Sequence, residues 1–107
     1  MSWLIVKLYA FCPIPQSRGY TLARQLACCQ PNRDSERARF RKRFDRMLTL
    51  PLGKIEPGLR WALAVVASAS KNPRLDWVRL TDDLSMWERE RIRLRWAEQF
   101  LENDKRR

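Results

Sequence analysis

The residues best placed to do chemistry are cations. Between Arg33 and Arg46 stand seven basic residues, at 33, 37, 39, 41, 42, 43 and 46, against three acidic ones at 34, 36 and 45, a local excess of four positive charges. Like charges crowded into one segment repel each other, and a polyanion relieves that repulsion. Most of them are arginine, whose planar guanidinium fits a phosphate, whereas a face kept only for solvation interleaves Glu with Lys at i, i+4 spacing. The same segment carries Phe40, Phe44, Met47 and Leu48 at i, i+4, i+7 and i+8. On a helix these turn inward and leave Arg39, Lys42, Arg43 and Arg46 on the outer or flanking sides, where they can follow a phosphate backbone. A second basic run places Arg89, Arg91, Arg93 and Arg95 at every second position. At about 100° per residue, Arg91 and Arg95 fall with Glu98 and Glu102 on the side away from Ile92, Trp96 and Phe100. Arg89 and Arg93 fall near the apolar arc, and Arg93 is expected to pair with Asp82 or Asp83 of the preceding helix.

Other chemistry finds few residues to carry it. The chain has no His, no Gly-rich phosphate loop, no nucleophile elbow and no Cys beside an obvious base, so catalysis is not expected. Asp82 and Asp83 are the one adjacent acidic pair, and neighbours on a helix diverge, which disfavours a metal-dependent nuclease; they read as surface or ion-pair residues. Cys12, Cys28 and Cys29 form no C-x-x-C pair, so neither a metal nor any other cofactor is expected. The odd count with an adjacent pair makes a poor disulfide framework and points to a reducing, cytoplasmic setting with the thiols used as small core residues. Aromatics exposed in a basic groove can stack on bases. Here Trp61, Trp77, Trp87 and Trp96 share apolar stripes with Leu, Ile or Phe and read mainly as core, while Trp3 is undecided.

Positioning these side chains is the work of helices. At 107 residues the chain is sized for one domain, spanning 1–107, and with 45% hydrophobic residues and five Trp it has the material for a core. Its net charge of +10 and pI near 10.6 favour a nucleic-acid partner, an anionic membrane surface being the rival. Trp3 to Cys12 is apolar apart from Lys7, but it is far shorter than the roughly 20 residues of a membrane span and lacks a basic leader. It reads as a buried first helix, and neither a targeting segment nor a membrane association is expected.

Ala, Leu, Arg and Glu dominate and Gly is scarce, so the fold class is all-α, a compact bundle of about six helices. Proline punctuates it: Pro13 and Pro15 close the first helix, Pro31 the second, Pro51 the third and Pro73 the fourth. The second helix is expected from about Arg18 to Gln30. The third starts with Asp34 or Ser35 as cap, and the fourth runs from about Glu56 to Lys71, apolar nearly all round and hence central. The fifth is expected over about Leu75 to Met86 and the sixth over about Glu88 to Asn103.

In the C-terminal half, Leu75-Asp76-Trp77, Leu80, Asp83-Leu84, Trp87, Arg93, Trp96-Ala97 and Phe100 resemble the CasB family, the small subunits of type I-E Cascade. Upstream, Lys42-Arg43-Phe44 with Met47-Leu48 is similar to that family's basic helix, and Leu59 through Val66 to its next apolar helix. Trp3 to Pro13 and Gly19 to Leu26 match the middle of such proteins more loosely, so the resemblance implies a member shortened at the N-terminus. It also implies a non-catalytic role in an RNA-guided DNA-targeting complex, holding crRNA, target DNA and the displaced strand so that the R-loop is stabilised. Partners would be the backbone and large subunits, with more than one copy of this chain per complex. Carried over by position, the binding residues are Arg39, Lys42, Arg43 and Arg46, then Arg60, Lys71, Arg74 and Arg79, then Arg91 and Arg95.

A different class of function, a stand-alone helical DNA-binding regulator, would place Asn, Gln or Ser among the arginines of one recognition helix to read bases. The basic helices here lack such residues.

Overall fold

The computed structural model describes residues 2–69 and 71–105. Among them are six α-helices, α1 (Ser2–Phe11), α2 (Leu22–Cys28), α3 (Asp34–Leu48), α4 (Glu56–Ala69), α5 (Trp77–Ser85) and α6 (Glu90–Lys105), with a 3₁₀ turn over Leu52–Lys54 and no strand. The fold is the expected all-α bundle. α4 packs on α1, α2 and α3, and α2 also lies along α6, so the core is shared between the α4 and the α2–α6 contacts. Leu22, Leu26, Phe44, Met47, Leu59, Leu63, Leu80, Leu84, Ile92, Trp96 and Phe100 are all buried there.

The buried tryptophans show how the elements lock together. An indole N–H taken out of water needs an acceptor. Trp77 donates to the Ile14 carbonyl at 2.6 Å, Trp87 to the Leu50 carbonyl at 2.9 Å and Trp96 to the Asp83 carboxylate at 2.8 Å. Each bond joins segments far apart in sequence or, for Trp96, ties α6 to α5.

Several boundaries differ from the sequence expectation, and for the second and fifth helices the local reason is visible. The second helix begins at Leu22 rather than Arg18, because Gly19 takes a left-handed φ of +88° and turns the chain so that its N–H reaches the Asp76 carboxylate at 2.9 Å. The fifth begins at Trp77 because Asp76 is its N-cap, accepting from the Arg79 N–H at 3.0 Å. The third has Arg33 in the cap position, and Asp34 is already helical. Among the described residues the fourth covers Glu56–Ala69, and the sixth starts at Glu90. Ahead of α5, the Ser17 N–H donates to the Leu75 carbonyl and the Leu75 N–H to the Pro15 carbonyl, a short pairing that staples the α1–α2 loop to the α4–α5 loop.

The first helix is not buried as a whole. Leu8 is buried and Leu4 and Ile5 pack against the core, whereas Trp3, Val6, Tyr9 and Phe11 are exposed. Lys7 bonds Glu56 of α4 at 2.9 Å and Tyr9 meets the Trp77 ring of α5 edge-on at 5.4 Å, contacts that leave much of this ten-residue helix uncovered. Of the cysteines, half-buried Cys12 packs against the core, whereas Cys28 is exposed and Cys29 is half-buried outside it. No helix among the described residues is long and apolar enough to cross a membrane.

Candidate nucleic-acid interface

The basic face of α3 is set by three contacts beneath it. Phe44 stacks on Phe100 of α6 with ring centroids 4.3 Å apart, and Phe40 meets Trp61 of α4 at 5.1 Å. Met47 is buried against α4, where Gly58 permits the approach: a Cβ there would lie 2.9 Å from the Met47 Cγ. These contacts fix the rotation of α3 about its axis. Asp34 and Glu36 in its first turn and Arg46 in its last complement the helix dipole.

With that rotation, Arg39, Lys42, Arg43 and Arg46 come together as the described lining of one surface groove of about 850 Å³. All four are exposed. Among the described residues none of them forms an ion pair, so their charge faces solvent uncompensated by a carboxylate. A neighbouring cavity of about 320 Å³, lined by Pro31, Glu36, Arg39, Phe40, Arg43 and Trp61, shares Arg39 and Arg43 with the groove. The Arg43 guanidinium lies over the Trp61 ring, 4.7 Å from its centroid.

The remaining expected cations are dispersed and mostly engaged. Arg60 bonds Glu56 at 3.0 Å, and its guanidinium also lies over Phe11. Together Lys7 and Arg60 hold the Glu56 carboxyl below the usual range, the Lys7 hydrogen bond being the largest influence. Arg74 sits over Tyr20, 5.6 Å from the ring centroid. Lys71 is exposed in the α4–α5 loop and Arg91 on α6, neither as part of the groove's described lining.

Arg79 and Arg95 converge on Asp83, at 3.6 and 3.5 Å. This corrects the expected pairing. The acid's partner on α6 is Arg95, two residues further along the helix and adjacent to Trp96, while the Arg93 Nε is buried with no hydrogen-bond partner. Asp83 itself is not a surface residue: only 3% of it is accessible, and burial pushes its carboxyl up despite the Trp96 hydrogen bond and the two arginines. Of its two opposite-charge neighbours among the described residues, Arg79 lies one turn back on α5, and Arg95 reaches it from α6 and so joins the two helices.

Trp77, Trp87 and Trp96 are buried, as their stripes imply, and Trp3 is exposed. Trp61 is intermediate: it packs against the core with one part and lies under Arg43 with another. Sequence reasoning missed this pairing, because Arg43 and Trp61 belong to different helices and meet only through the packing of α3 on α4. No group of three or more His, Cys, Asp or Glu able to hold a metal is present among the described residues.

Comparison with known proteins gives one family. A family model described as CRISPR-associated protein Cse2 matches residues 1–101. No curated protein matches the chain.

Proposed function

The chain belongs to the CRISPR-associated Cse2 family, the small subunits of type I-E Cascade also called CasB, and from that premise we propose that it grips nucleic acid through the α3 groove. In this reading it contacts crRNA, target DNA and the displaced strand without sequence preference, has no catalytic step of its own, and acts in the cytoplasm. Opening a duplex against a guide RNA is nearly balanced energetically, so a modest hold on the opened strands shifts it toward the R-loop.

The observation that carries the reading is the cluster of Arg39, Lys42, Arg43 and Arg46 in one groove without carboxylate partners among the described residues. Cations already paired have little left to offer a phosphate, and unpaired ones release counterions when a phosphate replaces the ion atmosphere. On this ground Arg60, Arg79 and Arg95 rank below the α3 four, and Lys71, Arg74 and Arg91 stand as outlying contacts. The outward Trp3, Val6, Tyr9 and Phe11 fit a chain seated among the backbone and large subunits, where apolar surface is covered.

The test is co-purification with tagged backbone subunits and crRNA, with and without the triple charge reversal K42E/R43E/R46E. Incorporation of both forms, with target-DNA affinity lost in the variant, supports the proposal. A chain that stays outside the complex yet binds one duplex sequence in preference to others would instead be a regulator.

A further inference from the structure

We infer that the cavity between α3 and α4, beside the cationic groove, receives an unpaired nucleobase, which stacks on the Arg43–Trp61 pair while its phosphates lie on Arg39, Lys42 and Arg46. The inference rests on the proposed nucleic-acid role and narrows it to single strands.

The cavity has the parts that base recognition needs. Trp61 and Phe40, 5.1 Å apart, supply aromatic surface, and Pro31 adds an apolar edge. The Arg43 guanidinium already lies over the Trp61 ring. A guanidinium is planar, so with one face on an indole its other face can take a second π-system, and arginine is suited to join a base to a protein aromatic. At about 320 Å³ the cavity falls at the small end of ligand-sized pockets, which suits one base rather than a larger group.

Its position supplies the selectivity. Arg39 and Arg43 line both the cavity and the groove, so a strand whose phosphates run along α3 presents its bases directly beside the cavity. A base within a duplex is stacked and paired and cannot turn into it. Glu36 is the one acidic residue of the described lining. As an acceptor it matches the exocyclic amino group of cytosine or adenine, which thymine lacks.

The experiment measures binding of the full chain to end-labelled 15-mers by fluorescence anisotropy at low salt. The probes are oligo-dC, oligo-dA, oligo-dT and a 15-mer of abasic sites that keeps every phosphate. The dC and dA strands are expected to bind about tenfold more tightly than the abasic strand, with dT between. The ratio of intact to abasic affinity should collapse toward one in Arg43→Lys, which keeps the charge and removes the plane. Trp61→Leu should do the same, circular dichroism confirming that each variant is folded. Equal binding of intact and abasic strands overturns the base pocket and leaves the phosphate groove standing, whereas no salt-sensitive binding of any strand overturns both. The same probes made as RNA identify the strand the pocket serves, the larger intact-to-abasic ratio marking it.

Discussion

The outer face of α3 and the junction of α5 with α6 present the same residue type in opposite settings. On α3, Arg39, Lys42, Arg43 and Arg46 stand exposed around a groove with no ion-pair partner among the described residues. At the junction, Arg79 and Arg95 close on Asp83, whose other carboxylate oxygen accepts from Trp96. The difference lies beneath the cations. Under α3 are Phe40, Phe44 and Met47, which take the helix's apolar side and leave its charge to solvent. Under α6 is a buried acid, which draws in the arginines that can reach it, because an unpaired buried carboxylate is costly. A count of positive charge thus measures what a surface could bind only after the charges committed to the fold are set aside.

The largest expected effect is at the junction. Asp83→Ala removes the acceptor of a buried indole N–H and the counter-charge of two arginines, and should cost about 3 kcal/mol of stability in urea unfolding. Asp45→Ala, at an exposed acid on α3, should stay within about 0.5 kcal/mol. If the two cost the same, the junction is no more structural than the groove, and the comparison fails.

The groove should show the reverse profile. Lys42→Ala with Arg46→Ala should leave stability within about 0.5 kcal/mol, lower single-strand affinity about tenfold and reduce the slope of log K against log salt by about two. The matching pair, Arg79→Ala with Arg95→Ala, should change that slope by less than about one, since those cations are held by Asp83. Equal slopes would mean that the ion pairs open freely for phosphate and that the two regions differ only in appearance.

Much of this was legible in the chain itself, and the exceptions share a cause. The apolar stripe of α3, with Phe40, Phe44 and Met47, set the outward position of Arg39, Lys42, Arg43 and Arg46 because helical geometry is local. The tryptophan stripes likewise announced Trp77, Trp87 and Trp96 as core. Long-range pairings were not legible. That Asp83 would take Arg95 rather than Arg93 depends on how α5 crosses α6, and that Arg43 would cover Trp61 depends on how α3 meets α4. Gly19 and Asp76 escaped for the same reason: 57 residues separate them, and the carboxylate that holds the Gly19 turn at 2.9 Å also caps α5 through the Arg79 N–H. The outward side of α1 was missed because an apolar run signals burial without saying how much of it the neighbouring helices can cover.

The smallest effect tests whether the junction's acid is a burden that the fold carries, and α5 provides its own control. Asp76, at the N-terminus of α5, is also buried, and burial alone would raise its carboxyl. The N–H of Gly19, the Gln16 amide and the N–H of Arg79 all donate to it and outweigh that cost, so it is held below the ordinary aspartate range. Asp83, in the second half of the same helix, is pushed above that range. The two should therefore respond to acid with opposite sign. With Asp76 depressed, the unfolded chain binds its proton first on acidification, so the stability Asp76 contributes is present above the ordinary aspartate value and is lost as pH falls toward the depressed one. With Asp83 raised, the folded chain binds its proton first, so stability is gained as pH falls from neutral through the raised value. Urea midpoints followed from pH 7 downward should show wild type gaining on Asp83→Asn above the ordinary aspartate value, and losing its lead over Asp76→Asn below it. Two curves of the same sign would mean that Asp83 is stabilised by its arginines more than it is penalised by burial, and the junction would then be a favourable ion pair rather than a tolerated one.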